Sequence, residues 1–198
     1  MFTVTLEQLR NNEACLGGYN RVVRMLQNQA FTEEDKVRRS YIHYNSNIEI
    51  SLVSICKNQG VDDALWTTRC LDETHNRDLR LFAVWCARQV QHLMTDERSI
   101  RAIDVAERFA NGEATQEELE EARKGAWKAC YNVQNNVESE IKFLHYIAYD
   151  VSFSNVSDAA YSAAEDAFFN ANDEHTKRTE QTEMFIKMCE GNTPWQVK

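Results

Sequence analysis

Proline and glycine, the two residues that most often mark turns, are scarce in this chain of 198 residues. The sequence holds one proline and six glycines, and neither occurs anywhere from Ala126 to Glu190. Hairpins and the loops of doubly wound folds depend on these residues for their turns. Their scarcity therefore argues against an all-β or doubly wound fold and favours helices.

Apolar residues recur at steps of three and four between Arg80 and Tyr131, which is the period of an amphipathic helix. The pattern predicts three helices, near Leu79–Met94, near Ser99–Ala110 and from about Gln116 onward. Five aromatic side chains are assigned to the core, those of Trp66, Phe82, Trp85, Phe109 and Trp127.

The connection between the second and third of these helices carries the clearest local signals. Asn111-Gly112 ends one helix, because glycine tolerates the left-handed conformation that follows a helix. Thr115 and Glu118 have the spacing of a capping box, which begins the next. A connection this short predicts two antiparallel helices in contact.

These signals predict an all-α fold, a single-domain multi-helix bundle of antiparallel hairpins with about eight helices. One very short strand is expected near Ile48–Ile50, and a helix break is expected at Cys15-Leu16-Gly17-Gly18. Residues 1–60 are predicted to form an N-terminal helical subregion packed on the core, and residues 61–198 the main bundle.

The net charge of −9 is distributed unevenly along the chain. Residues 1–60 carry seven basic and six acidic side chains, whereas residues 61–198 carry fifteen and twenty-five. Such an acidic region argues against direct nucleic-acid binding, which needs Lys and Arg to displace counterions. It is compatible with a protein partner that has a basic surface, with mimicry of DNA charge, or with a plain solvated surface.

The six cysteines are interpreted as free thiols of a cytoplasmic protein. The opening Met1-Phe2-Thr3-Val4-Thr5 does not have the pattern of a signal peptide. Cys86, Cys130 and Cys189 lie on apolar helical stripes, where a thiol behaves as a small apolar side chain. No apolar run approaches the ~18 residues of a membrane span.

Three blocks resemble the immunity-five-like family of helical immunity proteins: residues Asp62–Leu71, Arg80–Arg88 and Ser99–Thr115. With the Ala-rich helix that follows Ser157, the resemblance covers roughly Asp62–Ala171. The opening Thr5-Leu6-Glu7-Gln8-Leu9, followed by Ala14-Cys15, resembles that of some small phage proteins. The long polar insert Gln27–Asn47 and the few alanines after Lys128 depart from the family pattern.

The resemblance implies a helical protein that binds and neutralises a protein partner. The phage-like opening shifts that expectation toward an anti-defence inhibitor such as an anti-CRISPR protein. A bacterial immunity protein that neutralises a toxin is the alternative.

Motifs for metal or cofactor chemistry are not found, so neither a metal site nor a cofactor is predicted. A Cys–His enzyme remains an alternative, because any cysteine could meet any histidine in the fold. The five histidines are His43, His75, His92, His145 and His175.

Acidic residues at the start of the third helix are the candidate partner-binding residues. Positions 113 and 117, and 117 and 121, are one helical turn apart. Stabilisation of the helix start by its dipole is the competing interpretation. Trp195, beyond the last helix, either folds back on the bundle or serves as an exposed anchor. The predicted contact residues are Glu113, Glu117, Glu120, Glu121 and Trp195.

The sequence thus predicts a non-catalytic protein that inhibits its partner by stoichiometric binding through an acidic helical surface. A structural or oligomeric scaffold is a third possibility, and the oligomeric state is left open.

Overall fold

The computed structural model describes residues 1–134, 146–153, 155–169 and 173–197, and most of these residues are helical. Together with one small two-stranded sheet, the helices confirm the predicted all-α fold. None of the helices in these ranges combines the length and the apolar composition needed to cross a lipid bilayer. The chain divides into two compact units, Met1–Asp72 and Glu73–Lys198.

The first unit consists of short helices and a minimal antiparallel sheet. Strands β1 (Thr3–Val4) and β2 (Ile50–Ser51) pair with Thr3 opposite Ser51, so the predicted short strand exists at Ile50. A 3-10 turn at Thr68–Cys70 ends the unit. Its helices are α1 (Leu6–Asn11), α2 (Leu16–Leu26), α3 (Glu33–Val37), α4 (Leu52–Gln59) and α5 (Val61–Thr67).

The predicted helix break at Cys15–Gly18 extends too far, because Leu16, Gly17 and Gly18 lie in the first turn of α2 and only Cys15 precedes the helix. The Sγ atom of Cys15 accepts a hydrogen bond from the N–H of Gly18 at 3.3 Å and caps this helix. Glycine weakens the interior of a helix through its backbone entropy. Here the cap holds the first turn, and the apolar stripe that follows holds the rest.

The polar insert Gln27–Asn47 is tied to α2 by partly buried hydrogen bonds. Nε and Nη2 of Arg24 donate to the two carboxylate oxygens of Asp35 at 2.9 and 2.8 Å. The guanidinium of Arg24 and the N–H of Thr32 hold the pKa of Asp35 well below its usual range. A segment with few apolar residues is thereby fixed through charge-assisted hydrogen bonds.

The helices of the second unit are α6 (Asn76–Arg88), α7 (Glu97–Ala110), α8 (Gln116–Gln134), α9 (Val156–Phe169) and α10 (Glu174–Glu190). Helix α6 is central and packs against α7, α9 and α10, while α7 and α8 form a helical hairpin. Five alanines of α9 are buried, which allows its backbone close to α6. Phe82 of α6 and Phe185 of α10 meet edge to face, with ring centroids 5.9 Å apart. A further helical stretch covers residues 146–150.

Arg80, a buried cation of α6, closes the end of the helical stretch 146–150. Its Nη1 and Nη2 donate to the carbonyl oxygens of Val151 and Phe153, each at 2.8 Å. Helix ends leave such carbonyls without intrahelical partners, so a buried donor stabilises them. Burial lowers the pKa of Arg80 to about 10, which keeps the side chain charged at neutral pH.

Candidate functional site

The start of α8 is fixed by the predicted capping box. The hydroxyl of Thr115 accepts from the N–H of Glu118 at 3.2 Å, and Oε2 of Glu118 accepts from the N–H of Thr115 at 2.8 Å. Gly112, at φ 76°, allows the chain to turn after α7, as predicted. Because the first turn is fixed, so is the direction in which every later side chain of α8 projects.

One face of α8 is buried and the opposite face is exposed. Leu119, Ala126 and Cys130 lie on the buried face, and the helix packs against α7. The exposed face follows steps of three and four residues. Its exposed members are Glu117, Glu121, Lys124, Trp127, Lys128 and Tyr131.

Three of the four predicted glutamates line a concave surface on α8, which bounds a pocket of about 370 Å³. The lining residues are Gln116, Glu117, Glu120, Glu121 and Lys124. Glu113 is not among them. It lies in the turn before α8, where its carbonyl oxygen accepts from Nη2 of Arg108 at 2.9 Å.

Two carboxylates of this concave surface, those of Glu117 and Glu120, are stabilised in their charged form. The two hydrogen bonds from Arg123 lower the pKa of Glu120. Hydrogen bonds from its own backbone N–H and from the Thr115 hydroxyl lower the pKa of Glu117. Both side chains are therefore negative throughout the neutral pH range, as an acidic binding surface requires.

Trp195, the remaining predicted contact, lies beside the start of α6. Its carbonyl oxygen accepts from Nη1 of Arg77 at 3.2 Å, and the side chain is half-buried. The next residue, Gln196, donates to Asp78 at 2.8 Å and to the carbonyl oxygen of Met188 at 3.1 Å. Of the two alternatives, the structure places Trp195 folded back on its own unit, and it does not line the concave surface.

The prediction that Trp127 lies in the core is wrong, since 46% of the residue is exposed. Its indole packs against Tyr149, with centroids 5.2 Å apart, and against Tyr146, at 6.3 Å. Trp127 follows directly on buried Ala126, but its side chain lies at the edge of the buried stripe, where α8 meets the helical stretch 146–150. An exposed aromatic side chain is thus part of the same face as the glutamates.

The cysteines are poorly suited to nucleophilic chemistry where they are buried. Burial raises the pKa of Cys56 and Cys70 to about 11 and that of Cys130 to about 12, and it raises the pKa of Cys86 as well. A thiol with a raised pKa stays protonated and inert at neutral pH. No disulfide joins any of the six cysteines, all of which lie in the described ranges.

A metal site is likewise not formed by the described residues, which contain no cluster of three or more His, Cys, Asp or Glu side chains placed around an ion. His145, one of the five candidate histidines, lies outside the described ranges.

The sequence did not predict a pair of carboxyl groups in this unit, of which Asp150 is buried and Asp166 is half-buried. Asp150 of the stretch 146–150 and Asp166 of α9 are hydrogen-bonded to each other. Burial and the charge of Asp166 raise the pKa of Asp150, and burial raises the pKa of Asp166. One signal was present in the sequence, because Asp166 continues the buried stripe of Ala159 and Ala163 at helical spacing.

No family model, no curated protein and no solved structure matches this chain. The resemblance to the immunity-five-like family therefore stays a prediction.

Proposed function

We propose that this protein is a non-catalytic inhibitor that binds a basic surface of a protein partner through the exposed face of α8. One observation carries the proposal: Glu117, Glu120 and Glu121 line one concave surface, on a helix whose opposite face is buried. Hydrogen bonds favour the charged forms of Glu117 and Glu120, and the fixed start of α8 sets the direction of all three side chains, so the surface is preformed. Such a surface favours encounter with a cationic partner and disfavours nucleic acid.

The biological setting that fits best is counter-defence by a phage, with the inhibitor acting in the cytoplasm of the host. An anti-CRISPR-like inhibitor would occupy a basic surface that its target otherwise uses for nucleic acid. An immunity protein that neutralises a toxin would use the same contact, so the two settings share one mechanism. A neighbouring toxin gene would indicate immunity, whereas neighbouring early phage genes would indicate counter-defence.

The buried thiols weigh against the alternative of a Cys–His enzyme. Four of the six cysteines have raised pKa values, for which burial is the largest cause. Thiol-reactivity profiling checks this directly, and a single hyper-reactive cysteine would favour the enzyme again.

Charge reversal on α8 tests the proposed contact. The partner is first captured from a host lysate and identified, and its affinity for the purified chain is then measured by calorimetry. Glu117→Lys combined with Glu121→Lys is expected to weaken binding by about tenfold or more, because attraction becomes repulsion. Raising the salt concentration should weaken wild-type binding as well.

A matched control places the same charge change on another helix. Glu183 and Glu190 are exposed on α10, so Glu183→Lys with Glu190→Lys alters the net charge equally. This control variant should bind like the wild type. Equal losses of affinity in both double variants would mean that only the net charge of the protein matters. Unchanged binding of the α8 variant would refute the proposed surface.

A further inference from the structure

The exposed face of α8 continues beyond the concave surface into two aromatic side chains. Trp127 is 46% exposed and Tyr131 is 58% exposed, and they lie one helical turn apart. Lys124, which lines the concave surface, precedes Trp127 by three residues. Exposed Trp and Tyr are the side chains most enriched at the energetic centres of protein interfaces.

Trp127 is held in position before any partner arrives. Its ring lies 5.2 Å from that of Tyr149 and 6.3 Å from that of Tyr146, measured between centroids. These contacts cover one part of the indole and leave nearly half of the residue accessible. A side chain that is already ordered loses little conformational entropy on binding.

The protein already holds one of its own guanidinium groups beside this face, that of Arg123. Its Nε and Nη2 donate to the two carboxylate oxygens of Glu120 at 2.9 and 2.7 Å. The same group lies 5.6 Å from the ring centroid of Tyr149. Arg123 thus makes a bidentate ion pair and a cation–π contact at the same time.

Arg178 also combines an ion pair with an aromatic contact, here through a single hydrogen bond to the carboxylate. Its Nη2 donates to Glu165 at 2.6 Å, and its guanidinium lies 4.1 Å from the ring centroid of Phe168. A planar guanidinium can pair with a carboxylate along one edge while its flat face lies on a ring. A lysine ammonium has neither the fork nor the flat face, so the arrangement selects arginine.

We propose that the exposed face of α8 binds an arginine-rich segment of the protein partner. Glu117 and Glu121 pair with guanidinium groups of the segment, and Trp127 and Tyr131 stack on them. This inference rests on the proposed function and adds the residue type that the surface recognises.

The length of the face and its own lysines define the ligand further. From Glu117 to Tyr131 is about 21 Å along the helix, at ~1.5 Å per residue. An extended segment of about seven residues spans that length. Lys124 and Lys128 also lie on this face and repel cations. The cations of the segment must therefore contact the carboxylates and the rings rather than the middle of the helix.

Two peptides of about nine residues, long enough for this face, test the selection of arginine. One carries arginines at alternate positions between glycine and serine, and the other carries lysines in their place. Calorimetry with the full chain should show the arginine peptide binding about tenfold more tightly than the lysine peptide. Trp127→Ala with Tyr131→Ala should abolish this difference, because both peptides then keep only their ion pairs with the carboxylates.

Two further variants separate loss of the rings from loss of the fold. Trp127→Phe with Tyr131→Phe keeps both rings and should keep most of the preference for arginine. Phe169→Ala removes an equally exposed ring of α9 and should bind both peptides like the wild type. Thermal unfolding by circular dichroism establishes that each variant is folded.

The outcomes distinguish this inference from the proposed function. Equal binding of the two peptides, a preference that survives Trp127→Ala with Tyr131→Ala, or no binding of either peptide overturns the arginine inference. The acidic contact is tested separately, by whether Glu117→Lys with Glu121→Lys weakens binding of the captured partner. Replacing Lys124 and Lys128 by glutamine should tighten binding of the arginine peptide, and weaker binding would contradict the proposed seat of the segment.

Discussion

At Asp150 the fold places a second carboxyl group, that of Asp166, within hydrogen-bonding distance between packed helices. Both pKa values are raised in the folded protein, and the charge of Glu165 contributes to that of Asp166. In the unfolded chain both carboxyls return to about 4. Above that pH the folded protein therefore binds more protons than the unfolded chain, and its stability falls as pH rises through the raised pKa values.

Replacing Asp150 with asparagine tests this linkage. The asparagine amide can donate to Asp166 as protonated Asp150 does, but it has no proton to lose. Asp150→Asn should therefore raise the free energy of unfolding at about pH 8, by about 1–3 kcal/mol relative to the wild type. The gain should shrink as pH falls toward about 4, where Asp150 is protonated in both states. Urea titrations at a series of pH values measure it.

Glu183→Gln provides the control for this experiment, since Glu183 is exposed on α10. Its difference from the wild type should stay small and nearly constant with pH. The charge of the buried pair also contributes to the raised pKa of Cys130 on α8. A gain for Asp150→Asn that does not change with pH, or a loss at about pH 8, would contradict a shared buried proton.

Among the elements, α8 depends most on how it begins, because its first turn sets which side chains face outward. Thr115→Ala removes the acceptor for the N–H of Glu118. The expected cost is about 1 kcal/mol in the free energy of unfolding, the usual value for a lost N-cap. Chemical denaturation measures this cost.

Thr179→Ala is the matched control on α10. Thr179 is exposed, and its hydroxyl only donates to the carbonyl oxygen of His175 one turn earlier. Removing it should change stability by no more than a few tenths of a kcal/mol. Equal effects of the two substitutions would mean that the capping box contributes nothing to α8.

The features predicted correctly from the sequence are those whose interactions lie within one helical turn of the chain. The capping box at Thr115 and the turn at Gly112 formed as predicted. Each depends on side chain and backbone atoms a few residues apart, so the sequence contains the whole interaction. Gly17-Gly18 was misread because a sulfur cap from Cys15 lies outside the usual capping residues.

Features that depend on which helices meet could not be read in this way. Asp150 and Asp166 lie on separate elements, and only packing brings the two carboxyls together. Whether Trp127 is buried depends on how wide a stripe of α8 its neighbours cover, and periodicity does not give that width. Of the site, the glutamates of α8 were therefore predicted, while the aromatic part of the surface and the carboxyl pair were not.

At the scale of the whole molecule, the negative charge belongs mostly to one of the two units. Residues 73–198 carry fourteen basic and twenty-two acidic side chains, a net charge of −8 out of −9. This unit also contains α8 with every residue of the proposed contact. Its core includes Phe82, Ile103 and Phe185, all fully buried. A unit with its own core can fold on its own.

The isolated second unit should therefore bind the partner without the first. A chain of residues 73–198 is expected to unfold cooperatively and to match the affinity of the full chain within about threefold, because every contact of the exposed α8 face is retained. A chain of residues 1–72 should not bind, since it lacks that face. Circular dichroism and calorimetry on the two chains check both expectations. If the second unit folds but has lost the partner, residues of the first unit must take part in recognition, and the exposed face of α8 would then be insufficient to explain it.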